Sequence, residues 1–299
     1  VPSVALPYTP PYDWPAIRDY LAARAIPGVE AVTPEAYRRT IDLYGRHGDV
    51  TVGPGEGDVL VARIRHPDPG AVPAVMARLR PMFDCDADPA AIRMGLAEDP
   101  RLARLVAARP GLRVPGAWDG FELAARAILG QQVSVAAATR LAGRLVAAFG
   151  APLTDPTDPP GPSHVLPSSH VLPSSHVFPT PERLAAVVAE APGLLAPGQP
   201  PEAVVAALRR LRGIGDWTAQ YIALRALRAP DALPAGDLAL LRALDDGGGR
   251  PSPAGLLARS QAWRPWRSYA VLHLWASEGD RNGIRQQEPG CAPGPKAPG

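Results

Sequence analysis

Hydrophobic periodicity changes once along the 299-residue chain, near residue 112, and that change limits the fold more than any other feature. Before it, alternation of period two runs through Tyr37–Tyr44, Asp49–Val52 and Asp58–Ile64, split by Gly-rich turns, which is the pattern of an antiparallel meander. Helical patterns flank the meander: Trp14 to about Ala25, with Pro15 early in the first turn, then Val72–Phe83, Pro89–Glu98 and Arg101–Ala108. From Trp118 to Gly279 the spacing is helical throughout. Strands grouped first and helices alone afterwards give an α+β chain, with an N-terminal antiparallel sheet and its helices over residues 1–112 and an all-helical domain over 113–279.

The helical half divides at local signals. Phe121, Ala125, Ile128 and Leu129 mark one face of a first helix that stops near Gly130-Gln131-Gln132. Ser134 is placed to cap a second, whose expected face is Ala138, Leu141, Leu145 and Phe149 before Gly150 ends it. Further helical patterns cover Pro181–Ala191, Pro201–Leu211, Asp216–Leu227, Leu238–Leu244, Pro253–Ala262 and Trp266–Ser277. Residues 280–299 are polar and rich in Gly and Pro, so a disordered tail is expected.

Residues 151–175 read as an inserted loop carrying a six-residue repeat: Ser163-His164-Val165-Leu166-Pro167-Ser168, a second copy over Ser169–Ser174, and a third beginning at Ser175-His176-Val177-Phe178-Pro179. Three regularly spaced histidines invite a metal site, but a Pro/Ser-rich segment without interleaved carboxylates fixes no coordination geometry. A duplicated, flexible loop and no metal are expected.

Composition excludes several chemistries. A hydrophobic content of 46% is that of a globular chain, and the apolar runs are short and broken by Arg, so no membrane span is expected. Cys85 and Cys291 cannot build a disulfide scaffold or a four-cysteine metal centre, and a reducing cytoplasmic setting is the default. One of the 31 basic residues is a lysine, Lys296 in the tail, so Schiff-base chemistry has a single remote candidate. The net charge of +2 points to no partner class.

The segment Leu211-Arg212-Gly213-Ile214-Gly215-Asp216-Trp217-Thr218-Ala219 places a Gly-x-Gly hairpin between two amphipathic helices. Its glycines let backbone approach another surface, and the amides from Gly213, Ile214 and Gly215 to Thr218 open a helix N-terminus suited to a phosphate. An ordinary helix–turn–helix corner has the same local sequence. Leu211-x-Gly213-Ile214-Gly215 resembles the DNA-binding helix-hairpin-helix, and Pro234-Ala235-Gly236-Asp237, about twenty residues on, resembles the Gly/Pro-Asp signature of the glycosylases built on that hairpin.

Arg126-Ala127-Ile128-Leu129-Gly130-Gln131-Gln132-Val133-Ser134 is similar to one branch, the AlkA-type 3-methyladenine DNA glycosylases of bacteria. Pro10-Pro11-Tyr12-Asp13-Trp14, Trp263-Arg264-Pro265-Trp266-Arg267-Ser268-Tyr269-Ala270 and His273-Leu274-Trp275 support the same branch, and the resemblance covers about residues 5 to 279. The chain departs from that pattern in the enlarged repeat loop, in a short Glu182–Pro200 stretch, and at Gln132, where some members carry an intercalating Leu.

The resemblance implies a monofunctional DNA N-glycosylase of base excision repair, cytoplasmic and associated with the nucleoid when on DNA. It would act as a monomer on double-stranded DNA containing alkylated purines. No cofactor is required, although the family's hairpin can hold a monovalent cation. Relatives with lyase activity place a Lys just after the hairpin, where this chain has Trp217. A base buried in a duplex must be flipped out and held by stacking. Trp217 and Tyr221, at i and i+4, share a helix face; Tyr20, Trp275, Gln131 and Gln132 are positions the resemblance adds. An alkylated purine is cationic and a good leaving group, so one carboxylate suffices to stabilise the oxocarbenium-like sugar. Asp237 is that carboxylate, and it also stands where a helix N-cap is expected. A module that binds damaged DNA without cutting it is the competing reading.

Overall fold

The computed structural model describes residues 1–131, 133–153, 176–180, 199–211 and 214–287, with backbone alone for 280–287. Five strands form one antiparallel sheet: β1 (Ser3–Pro7), β2 (Glu30–Val32), β3 (Tyr37–Leu43), β4 (Arg46–Pro54) and β5 (Val59–Arg65), in the order β1-β5-β4-β3-β2. The meander β3–β4–β5 is the one expected. Its first turn is a tight Tyr44-Gly45 corner with both residues at positive φ, which returns Leu43 opposite Arg46. β1 and β2 were not anticipated: they are short edge strands that borrow their partners' ladder, Ser3 facing Arg63 and Glu30 facing Arg39.

Helices α1 (Trp14–Ala22) and α2 (Val72–Met82) cover the sheet, burying Trp14, Ile17 and Leu21 and Val75, Leu79 and Met82 against Leu6, Ile41, Val50 and Leu60. α3 (Pro89–Leu96) and α4 (Pro100–Ala108) do not join them. Their Ile92, Leu96, Leu102 and Val106 lie in a second core with Leu224, Leu240, Trp263 and Leu274. Each starts with an Asp whose carboxylate caps the first amides, Asp88 and Asp99, followed by Pro at the first helical position.

The remaining helices are α5 (Gly120–Leu129), α6 (Val135–Phe149), α7 (Pro201–Leu208), α8 (Asp216–Arg225), α9 (Leu238–Ala243), α10 (Pro253–Arg259) and α11 (Arg267–Gln287). Ser134 caps α6 through its Oγ, which accepts from the Ala137 amide at 3.2 Å. Three expectations about these helices need correction. The inner face of α5 is Glu122, Leu123 and Ala127, and Ile128 is exposed. Counting apolar residues misplaced that face because it carries a charge: Glu122 meets Arg39 of β3 at 2.6 Å, and Arg126 reaches both Glu122 and Glu30. In α6 the buried pair is Ala142 and Val146, packed on Ile26 and Val29, while Leu141 and Phe149 face outward.

Finally, α11 does not stop at Ser277 but runs through Gly279 to Gln287, so the expected disordered tail is helical at its start. No proline occurs between Pro265 and Pro289, and Arg281, Arg285, Gln286 and Gln287 are good helix formers.

The expected helix Pro181–Ala191 and the first two copies of the histidine repeat lie outside the described residues. The third copy is docked: the His176 amide donates to Gly28 O at 2.9 Å, the Thr40 hydroxyl donates to His176 O at 2.7 Å, and Val177 is buried. To that extent the flexible-loop expectation is corrected, because Val177 is buried and Phe178 packs on the Ile26–Val29 cluster and against Phe121.

Candidate active site

The strongest concentration of matched chemistry lies where α8, α9, α11 and α1 meet. The loop before α9 is fixed from two sides. Leu233 N donates to Gln220 Oε1 of α8 at 3.1 Å, and the Ser268 hydroxyl of α11 donates to Ala229 O at 2.7 Å and accepts from Ala232 N at 3.1 Å. A turn closed by Asp237 N to Pro234 O, 2.9 Å, then delivers Asp237 as the N-cap of α9.

Four donors hold the Asp237 carboxylate. Oδ1 accepts from the amides of Ala239 and Leu240 at 2.9 and 3.0 Å, and from Trp275 Nε1 at 3.1 Å. Oδ2 accepts from Trp217 Nε1 at 2.8 Å and keeps a lone pair for a further contact. No arginine forms an ion pair with Asp237 among the described residues. The cap reading and the catalytic reading of this residue describe one geometry.

The rings gather around it. Trp217 and Tyr221 stack with centroids 5.1 Å apart and planes 8° from parallel, and Trp275 lies 6.5 Å from Tyr221. Offset aromatic stacks of this kind are stable platforms. Tyr20 arrives from α1, its hydroxyl 3.1 Å from that of Tyr221. Its ring has Arg24 and Arg225 at 3.8 and 4.4 Å from the centroid, so Tyr20 offers this cluster its hydroxyl more than a free face.

Gln131 also belongs here, its Nε2 donating to Thr218 Oγ1 at 3.1 Å; Gln132 lies outside the described residues. That contact, and burial, withdraw the Thr218 side chain from any phosphate and leave only its amide in the first turn of α8.

Of the hairpin, Gly213 lies outside the described residues, and Ile214 and Gly215 are seen. Gly215 caps α8 without a side chain, and a Cβ built there meets nothing within 4 Å. Packing among the described residues therefore does not demand this glycine, whereas close approach by an external surface would. Asp216 follows in the first turn and pairs with Arg209 at 3.6 Å, which offsets its charge beside the exposed amides. The residues about Gly213, where the family resemblance implies a monovalent cation, lie outside the described residues. Among the described residues no group of three His, Cys, Asp or Glu side chains could hold a metal ion, and no helix is long and apolar enough to cross a membrane.

Sequence reasoning missed Arg24 and Arg225. Each stands four residues after a tyrosine of the cluster, Tyr20 and Tyr221, and that i,i+4 spacing was the available signal.

The AlkA N-terminal domain family matches residues 3–119. The chain is 34% identical over 304 residues to "DNA-3-methyladenine glycosylase 2" of Escherichia coli K12, covering 92% of this chain and 97% of that protein. It is 39% identical over 284 residues to the "Probable bifunctional transcriptional activator/DNA repair enzyme AlkA" of Mycobacterium tuberculosis. That match covers 92% of this chain but 57% of the relative, so the chain spans little more than half of that protein's length. In fold it is similar to the 3-methyladenine DNA-glycosylase of Archaeoglobus fulgidus, with a TM-score of 0.75 at 19% identity over 92% of this chain and 98% of that one. The chain belongs to the AlkA family of DNA-3-methyladenine glycosylases.

Proposed function

We propose that this protein is a monofunctional DNA N-glycosylase that binds duplex DNA as a monomer, flips an alkylated purine out of the stack and releases it as free base. The observation that carries this reading is Asp237: a carboxylate oriented by two indole N–H groups and two helix amides, without a counter-ion among the described residues, at an aromatic cluster. The hairpin amides at Gly215 and the first turn of α8 would hold the phosphate backbone, and phosphate contacts position a duplex without reading its bases.

A flipped base would stack on the indole surfaces. The C1′–N bond then breaks with its electron pair leaving on the base, and the developing sugar cation lies against the Asp237 carboxylate. A preorganised charge at such a position needs no reorganisation when the cation forms. Water bonds to C1′ and gives up a proton, leaving an abasic sugar and a free base. Trp217 stands beside Asp237 where a Schiff-base mechanism would need an amine, so the strand stays intact.

The test is to incubate methylated duplex DNA with the protein and to measure released base by chromatography. Released purine, with strand breaks appearing only after alkali, is the expected result. A break without alkali, together with a borohydride-trapped protein–DNA adduct, would overturn the monofunctional reading. Tight binding of methylated duplex with no base release would favour a damage-binding or regulatory module instead.

A further inference from the structure

Arg225, in the last turn of α8, is 4% exposed, a depth at which arginine is normally paired with a carboxylate. Here it is not. Its guanidinium donates to the carbonyls of Pro115 and Gly116, the latter at 3.0 Å, and to the Tyr221 hydroxyl at 3.3 Å. Its remaining surroundings are ring faces, Tyr20 at 4.4 Å and Tyr221 at 5.8 Å. Carbonyl dipoles and π-faces thus replace a counter-ion. Burial, with Arg228 adding to it, pulls the pKa of Arg225 down to about 9, and the group still carries its proton at neutral pH.

A fixed positive charge therefore sits against two tyrosine rings of the aromatic cluster, one of which stacks on Trp217. An aromatic face attracts a cation through its quadrupole. A ring already committed to one cation attracts a second less, and the two charges repel through a poorly screened interior. The consequence differs between lesions. A cationic base enters against that field and leaves as a neutral molecule. A neutral base enters unopposed and gains negative charge as the glycosidic electron pair moves onto it, which the same field stabilises.

We propose that Arg225 is a specificity-determining residue, which tilts the pocket away from cationic bases and toward neutral ones whose departure builds negative charge. The inference rests on the glycosylase reading above, and it concerns which lesions that site prefers. At a separation of about 10 Å and an effective dielectric of about 20, the charge–charge effect corresponds to a discrimination of about five- to tenfold after partial solvent screening.

The experiment compares wild type, Arg225→Met, which removes the charge at similar volume, and Arg225→Lys, which keeps it. Single-turnover base release is measured at sub-saturating protein, so that the rate is referred to free DNA and includes entry of the base, on duplexes carrying one 7-methylguanine, which is cationic, or one hypoxanthine, which is neutral. Arg225→Met is expected to raise the cationic-to-neutral rate ratio about five- to tenfold, and Arg225→Lys to leave the ratio near wild type even if both rates fall. Equal losses on both lesions in Arg225→Met would show a purely structural role and overturn the proposal. Circular dichroism and thermal melting check folding, and Arg225→Gln, which can still donate to the carbonyls, replaces a Met variant that fails to fold.

A second readout separates this inference from the function it rests on. Quenching of tryptophan fluorescence by 7-methylguanosine and by inosine reports their relative affinities without catalysis. If wild type released neither base, the glycosylase reading would fall, while an unchanged affinity ratio in Arg225→Met would sink the role of Arg225 independently.

Discussion

Two aspartates in this molecule share one local design and differ in one partner. Asp99 caps α4, accepting from the amides of Arg101 and Leu102 and from Trp263 Nε1 at 3.0 Å. Asp237 caps α9, accepting from the amides of Ala239 and Leu240 and from two indoles. Asp99, however, is 8% exposed and also receives Arg259, whose Nε and Nη2 lie 2.9 and 3.1 Å from its oxygens. Asp237 is half-buried and has aromatic surface where Asp99 has a guanidinium. The same cap therefore yields a neutralised structural joint in one place and an uncompensated charge in the other. What sets Asp237 apart from Asp99 among the described residues is the missing counter-ion, since its hydrogen bonding is otherwise equivalent.

The comparison is sharpest under isosteric removal of charge. Asp237→Asn keeps the capping ability, because Asn and Asp are about equally good N-caps, so unfolding stability should move by no more than about 0.5 kcal/mol. Base release should slow by at least ~100-fold, the scale of one lost preorganised electrostatic contact, while binding to methylated duplex changes little. An Asn variant with near wild-type release would show Asp237 to be only a cap.

Asp99→Asn should invert that pattern. It leaves Arg259 without its partner, but Arg259 is 39% exposed and water compensates much of the loss. A destabilisation of about 1–2 kcal/mol is expected in urea unfolding, with release rates within about twofold of wild type. A large loss of activity at unchanged stability would break the distinction between the two sites.

A smaller effect separates the indoles. Trp217→Phe keeps a ring near Tyr221 and removes one donor from Asp237 Oδ2; release should fall about three- to tenfold, the worth of one hydrogen bond of ordinary strength. Trp263→Phe removes the corresponding donor from Asp99 and should cost about 1 kcal/mol of stability without touching the rate. If Trp217→Phe were silent, the stack alone would be what the site requires.

Much of this was legible before any coordinates. The meander, the helix starts at Trp14, Pro89 and Ser134, and the juxtaposition of Trp217, Tyr221 and Asp237 follow from period, caps and motif. The difference between the two aspartates does not. Asp99 precedes Pro100 and Asp237 precedes Leu238, and both read simply as caps. The residue that distinguishes them, Arg259, is 160 positions from Asp99, and nothing local announces the pairing. For the same reason the inner face of α5 was misplaced: Glu122 is buried only because Arg39 and Arg126 converge on it from β3 and from its own helix. Local rules register where a polar group may sit, and tertiary partners decide what it does there.

The smallest expected effect is a pH dependence, and it tests whether the Asp99 contribution is electrostatic. Burial works to raise its pKa, but the hydrogen bonds from Arg259 and Trp263 and the Arg259 charge outweigh burial and hold it below the usual carboxylate range. A folded-state pKa below the unfolded one means that the unfolded chain binds more protons between the two values. The stabilisation is therefore fully present above the unfolded carboxylate pKa of about 4, and is lost as pH falls through the lower folded value. Because all other groups titrate alike in wild type and Asp99→Asn, the difference between their unfolding free energies isolates this residue. That difference should be constant from about pH 7 to about pH 5 and shrink by several tenths of a kcal/mol by about pH 3.5. A gap that stays constant into acid would assign the Asp99 contribution to packing and neutral hydrogen bonds, and the contrast with Asp237 would then rest on geometry instead of charge.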